Sequence, residues 1–338
     1  MLRSDLVLEG GGVKGIGLVG AVSTLARSGY SFPRVAGTSA GAIVAAFVAA
    51  LQHAGEPLER LEDVARSLDY RRLRDRGAVG RAAGPLARVV DGFSLAFDGG
   101  IFEGDYLRSW VRGALADLGV RTFGDLRQDD PDSSLPPERR YSLVVTASDV
   151  SRKRLLRLPW DYEVYGIDPD EQEVADALRA SASIPFFFEP VTLRAHHPGG
   201  EAIVSTLVDG SVLSNFPIAM FDRTDGRPPR WPTFGVRLSM RPDGRATVTE
   251  VRGTVSLALS LVETMLEACD AQHIDDPCVQ ARSIFVDTSG ISPVDFAISE
   301  QIQHELLLTG HQAAGTFLST WDWETYLKLC RDFEEAAS

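Results

Sequence analysis

Hydrophobic and polar positions along the chain switch between two periods. Residues 5–9, Asp-Leu-Val-Leu-Glu, form a short, almost continuous apolar run of the kind that makes a buried strand, and they lead directly into Gly10-Gly11-Gly12-Val13-Lys14-Gly15. Over residues 16–28 the period becomes helical, with Ile16, Val19, Val22, Leu25 and Ala26 on one face and Gly29 as the stop. A second strand is predicted over 30–36 and a second helix over 42–51, separated by Gly37-Thr38-Ser39-Ala40-Gly41. Strand, glycine-rich loop and helix therefore occur twice in succession, which is the pattern of an α/β fold with parallel strands.

The same periodicities predict helices over 56–68, 104–118, 171–183, 254–268 and 299–319, with a capping segment over 321–333. Strands are expected over 141–147, 154–158, 202–208, 233–240 and 283–286, the first two adjacent in one sheet. Residues 128–140 carry three prolines among acidic and polar residues and read as a surface loop. Phe186-Phe187-Phe188 cannot all face one core layer, so this stretch is expected to be buried on several sides or to form an apolar cleft wall. No internal repeat or second core is visible, so residues 1–338 are expected to form a single domain closed by helices over about 299–335.

Composition narrows the functions available. Apolar residues make up 44% and charged residues 24% of the chain, which places it among folded globular proteins. A formal charge of −13 argues against nucleic acid as a partner but leaves neutral or zwitterionic lipid open. Against this acidic background stand Arg66, Arg71, Arg72, Arg74, Arg76, Arg81 and Arg88, in an insertion expected over about 66–100. Such a segment could touch anionic head groups at a membrane surface, or be a solvated loop with local ion pairs. Cys269, Cys278 and Cys330 have no metal-ligand spacing and are expected as reduced thiols. No secretory signal is evident, and the longest apolar window is about half a membrane span, so a cytoplasmic protein is expected.

Ser39 is the leading chemical candidate. A Gly-x-Ser-x-Gly turn between strand and helix presents its serine alone above a helix N-terminus, and Gly37 and Gly41 leave room for the tight turn. The first glycine loop, Gly10 to Gly15, can aim several N–H groups at one point, as an oxyanion requires. Gly10, Gly12 and Gly15 also spell the dinucleotide fingerprint, but the second strand ends Pro33-Arg34-Val35-Ala36-Gly37 without the acidic residue that holds a ribose. The Gly-Lys-Ser/Thr ending of a phosphate loop is missing too, so no cofactor is expected. Asp209-Gly210-Ser211 closes the strand at 202–208 and is a candidate general base. A Ser-His-Asp arrangement would need His273, His304 or His311, all in or beside long helices and none on a short loop after a strand.

Three separated motifs coincide with those of one family. In order and spacing, Gly10-Gly11-Gly12-Val13-Lys14-Gly15, Gly37-Thr38-Ser39-Ala40-Gly41 and Asp209-Gly210-Ser211 resemble the oxyanion loop, nucleophile elbow and Asp-Gly-Gly/Ala element of the patatin-like phospholipases. Ala182-Ser183-Ile184-Pro185 and Leu213-Ser214-Asn215-Phe216-Pro217 support the match, which runs from about residue 6 to 219; Ser211 departs from the usual Gly or Ala. The resemblance implies a three-layer α/β/α fold around a mostly parallel central sheet. It also implies hydrolysis of phospholipid or lysophospholipid acyl esters by a Ser39–Asp209 dyad without histidine, with Gly210 supporting the turn. The alternatives are an acyltransferase using the same acyl-enzyme, a Ser-His-Asp esterase, or a lipid-binding protein that has lost its chemistry.

Overall fold

The computed structural model describes residues 2–73, 102–196, 200, 202–238 and 276–337, together with 257, 260, 261 and 264. In chain order its strands are β1 (Leu2–Arg3), β2 (Asp5–Leu8), β3 (Tyr30–Ser31), β4 (Val35–Thr38), β5 (Leu143–Asp149), β6 (Arg154–Leu158), β7 (Val191–His196), β8 (Ala202–Asp209), β9 (Thr233–Arg237) and β10 (Ser283–Phe285). The helices are α1 (Ile16–Arg27), α2 (Ala40–His53), α3 (Leu61–Ser67), α4 (Asp105–Ala116), α5 (Val174–Ser181), α6 (Pro277–Ala281), α7 (Glu300–Thr320) and α8 (Trp323–Ala337).

Eight strands build one mixed sheet in the order β10-β9-β2-β4-β5-β8-β7, with β6 also paired to β5. From β10 to β5 every pairing is parallel. Strands β6 and β8 join β5 antiparallel, and β7 and β8 form an antiparallel hairpin. All residues of β2, β4 and β5 are buried, as expected for parallel strands covered by helices on both faces. Helices α1 and α7 cross at near backbone contact, because a Cβ at Gly20 would overlap the Leu307 carbonyl and one at Gly310 the Gly17 carbonyl. The side chain of Ser299 caps α7 by accepting from the Ile302 N–H at 3.2 Å.

Departures from the predicted elements have local causes. The strand expected over 30–36 divides at Pro33, which has no N–H to donate: β3 pairs with β1, whereas β4 starts at Val35 and runs to Thr38. The helix expected over 56–68 opens with a three-ten turn, Leu58–Arg60, after Pro57. Strand β7 was not anticipated, since the phenylalanine run just before it dominates the local pattern. The helix expected over 254–268 lies almost wholly outside the described residues, as do residues 74–101 with Arg74, Arg76, Arg81 and Arg88. Within the described part of the arginine segment, Arg66 pairs with Glu62 at 3.2 Å and Asp63 at 3.1 Å, and Arg72 lies 4.3 Å from the Tyr106 ring centroid.

One expectation is corrected. Cys278 and Cys330, taken as reduced thiols, are joined in a disulfide with Cα atoms 5.4 Å apart. They are 52 positions apart in sequence and meet because α6 packs beside α8, a proximity that spacing along the chain does not reveal. Cys269 lies outside the described residues. Among those residues, no helix is long and apolar enough to cross a membrane.

Candidate active site

Ser39 lies on the turn between β4 and α2, with φ 53° and ψ −123°, a backbone conformation that L-residues seldom adopt. Close packing enforces the turn. A Cβ at Gly37 would overlap the Gly41 backbone, and one at Gly41 would overlap the carbonyls of Leu8 and Glu9 on β2 and just beyond it. The N–H of Ser39 donates to Ser181 Oγ at 2.9 Å, from the last residue of α5. The Ser39 side chain, only 2% exposed, sits at the positive end of the α2 dipole and lines an apolar cavity.

Sheet register brings Asp209 to the serine. Thr38 on β4 lies opposite Thr146 on β5, and Ala147, one step further along β5, lies opposite Asp209 on β8. Ser39 is likewise one step beyond Thr38, so serine and aspartate share a row across β5. Asp209 therefore arrives from a strand running against its neighbour, not from the carboxyl end of a parallel strand as its place in the sequence suggests. Its Oδ1 accepts from the Ser211 N–H at 2.9 Å, its own N–H donates to the Ser183 carbonyl at 2.9 Å, and a Cβ at Gly210 would overlap Thr146 Oγ1.

Burial raises the Asp209 carboxyl from its ordinary 3.8 to about 6, against the lowering influence of the Ser39 hydroxyl and of Ser211. Ser39 is thus near enough to favour the carboxylate, yet Oδ2 has no fully formed hydrogen bond among the described residues. A fully buried carboxylate with an open acceptor beside a hydroxyl can receive that hydroxyl's proton.

The glycine loop lies beside the same serine: a Cβ at Gly10 would come 3.2 Å from Ser39 Cβ, and one at Gly15 2.8 Å from Ala40 Cβ. Several of its N–H groups are already engaged. Gly10 donates to the Asn215 carbonyl at 3.2 Å, Val13 to the Pro293 carbonyl at 3.0 Å, and Lys14 to the Gly11 carbonyl at 3.1 Å. Among the described residues, the N–H groups of Gly11 and Gly12 have no acceptor. Gly12 has φ +55° and its missing Cβ would overlap the Pro293 carbonyl, whereas Gly11 is extended at φ 177°. Of these two glycines, only Gly12 has a positive φ in the left-handed region.

The cavity beside Ser39 has a volume of about 80 Å³ and opens to solvent. Ile43, Val44 and Phe47 of α2, Val64 and Ala65 of α3, and Leu107 and Trp110 of α4 form its walls together with Phe188 and Phe296. The phenylalanine run divides as its crowding requires: Phe188 is buried in this wall, Phe187 is half-buried, and Phe186 is exposed at φ +70°.

Neither described candidate histidine lines this cavity. His311 Nδ1 lies 2.9 Å from Thr24 Oγ1, and its Nε2 3.4 Å from Glu62 Oε1. Burial keeps its pKa below the usual imidazole value, against the raising influence of Glu62. His304 lines a separate cavity with Arg66 and Glu300, and His273 lies outside the described residues.

Sequence reasoning missed several supports. Glu9 and Arg237 form a buried ion pair at 2.9 Å directly below the glycine loop, and Asn215 Nδ2 donates to the Gly10 carbonyl at 3.2 Å. Glu9 was visible as a charge ending an apolar strand, but its partner is 228 residues away. Ser181 carries no local signal at all.

Residues 6–222 match the family model described as Patatin-like phospholipase. The chain is 35% identical over 319 residues to the uncharacterized protein YqhO of Bacillus subtilis (strain 168), covering 94% of this chain and 99% of that one. Among solved structures it is similar to VipD from Legionella pneumophila, at 16% identity and a TM-score of 0.49 over 95% of this chain and 67% of that one. It is also similar to ExoU of Pseudomonas aeruginosa in its complex with SpcU, at 18% identity and a TM-score of 0.43 over 94% of this chain and 51% of that one.

Proposed function

The chain belongs to the patatin-like phospholipase family, and from that premise we propose that it hydrolyses acyl esters of phospholipids or lysophospholipids through Ser39 and Asp209. The observation that carries this reading is a buried carboxyl, raised to about 6, in the same sheet row as a serine that opens onto an apolar cavity. At neutral pH such a group is mostly ionised and still basic enough to take a proton.

The chemistry then runs in two steps. As Ser39 Oγ attacks the ester carbonyl carbon, its proton passes to Asp209, and the carbonyl oxygen becomes an oxyanion facing the Gly11 and Gly12 N–H groups. Gly10, Val13 and Lys14 donate elsewhere, whereas the Gly11 and Gly12 N–H groups have no acceptor among the described residues. Collapse breaks the bond to the lipid alcohol, which leaves with the proton from Asp209. Water then attacks the acyl-Ser39 ester, Asp209 again accepts a proton, and collapse of the second tetrahedral species frees the fatty acid and restores Ser39. The apolar cavity holds the acyl chain while the head group stays outside, an arrangement that suits a substrate with one long apolar arm and a polar end.

The test is a phospholipid and lysophospholipid panel run with the parent and Ser39→Ala, alongside labelling by a fluorophosphonate probe. Parental turnover, its loss in the variant by a factor on the order of 10⁶, and probe adduct on Ser39 are expected. Turnover surviving in a well-folded Ser39→Ala protein would refute the assignment.

A further inference from the structure

The end of α5 touches both members of the proposed dyad. Ser181 Oγ accepts from the Ser39 N–H, and two residues on, the Ser183 carbonyl accepts from the Asp209 N–H. This corner is itself tied down by Arg179, which is 7% exposed. Its Nη1 donates to Ser183 Oγ at 2.5 Å, and its Nη2 donates to the carbonyls of Glu103 and Glu189. Serine and aspartate thus come from strands on opposite sides of β5, and one helix terminus spans the gap between them.

We propose that Ser181 is the positioning residue for the nucleophile, its hydroxyl holding Ser39 in the strained conformation from which Oγ reaches both Asp209 and the substrate carbonyl. This inference rests on the reading of Ser39 as the nucleophile. Two features of the site assign the role. Ser39 has φ 53° without being glycine, and a backbone conformation of that kind persists only where surrounding bonds over-determine it. The Ser181 hydroxyl makes such a bond, directly to the strained residue's amide, and both side chains are shut off from water that could replace it. With its N–H committed to Ser181, Ser39 also cannot offer that group to the oxyanion, so its role is confined to attack. Ser181 touches neither substrate nor proton; it acts through the backbone of Ser39.

The experiment compares the parent, Ser181→Ala, Ser181→Cys and Ser39→Ala on one soluble ester and with a fluorophosphonate. Ser181→Ala strands a buried N–H, and kcat should fall by about 10- to 100-fold with KM within about twofold of the parent. The phosphonylation rate should drop in parallel, and the pH midpoint of kcat/KM should move upward, because a displaced Ser39 hydroxyl lowers the Asp209 carboxyl less. Cysteine has nearly the same shape but is a weak acceptor, so Ser181→Cys should lose kcat in the same direction by a smaller factor. A role confined to packing would leave kcat and the phosphonylation rate of Ser181→Cys at parental values, and that result overturns the proposal, including the case in which Ser181→Ala does not fold. So would a folded Ser181→Ala whose only change is in KM. Ser39→Ala with parental activity would instead remove the nucleophile, and this inference with it.

Discussion

Replacing Asp209 by asparagine should destroy activity and at the same time stabilise the protein. In the fold, burial raises this carboxyl from 3.8 to about 6, so its ionised form is disfavoured relative to the unfolded chain by about 3 kcal/mol. The sign follows from the direction of the shift. The stability associated with the protonated form is fully present below 3.8 and is lost as pH rises through about 6, so at pH 7.5 the native state carries a charge it would hold more cheaply in water. Asparagine keeps the shape and can still accept from the Ser211 N–H, but it carries no charge. At pH 7.5 Asp209→Asn should therefore gain up to about 3 kcal/mol. For 338 residues that corresponds to roughly 4 °C in Tm. Near pH 4 the difference from the parent should shrink toward zero. Thermal melts of the two proteins at both pH values measure this directly, and comparing them cancels the titration of every other group. On a soluble ester, parental kcat/KM should rise as pH passes through about 6, and the variant should be nearly as inactive as Ser39→Ala. A variant less stable than the parent at pH 7.5 would show that the carboxylate is well paired, contrary to the open Oδ2; substantial turnover would remove Asp209 as the base.

Gly12→Val should lower kcat by about 100- to 1000-fold with a smaller change in KM, because φ +55° and the Pro293 carbonyl both oppose a branched side chain and the loop must move its donors; steady-state kinetics on a short-chain ester checks it. His304→Ala and His311→Ala should retain at least about half of parental turnover, since neither lines the Ser39 cavity; a folded histidine variant as inactive as Ser39→Ala would restore a Ser-His-Asp scheme. Ala65→Phe should fill part of the cavity and shift the kcat/KM ratio toward short acyl chains by about tenfold or more, each displaced methylene being worth about 0.8 kcal/mol of burial; unchanged chain-length preference across a p-nitrophenyl ester series would place the acyl chain elsewhere.

The chain's own order of residues determined the elements nearest the chemistry. Residues 5–51 read as strand, glycine loop, helix, strand, glycine turn and helix, missing only the division of the second strand at Pro33, because each signal is local. Apolar periodicity sets element type, and the glycines at 37 and 41 are required by a turn whose two arms lie next to each other in sequence. Pairing of β5 with β6 was legible for the same reason, only a short connection separating them. What tertiary structure decided was everything that depends on register or on contacts between distant segments. A strand's neighbours and direction are not written in its own residues, so the antiparallel arrival of β8, which sets Asp209 in the row of Ser39, could not be read from Asp209-Gly210-Ser211. A carboxyl's titration depends on burial by the whole fold, and an N–H is free or engaged only once its acceptor is in place. Within the glycine loop, only the folded chain shows that Gly10, Val13 and Lys14 have engaged N–H groups while those of Gly11 and Gly12 have no acceptor among the described residues. The Glu9–Arg237 pair, the Ser181 bond to Ser39 and the Cys278–Cys330 link join residues 228, 142 and 52 positions apart, and no periodicity reports such distances.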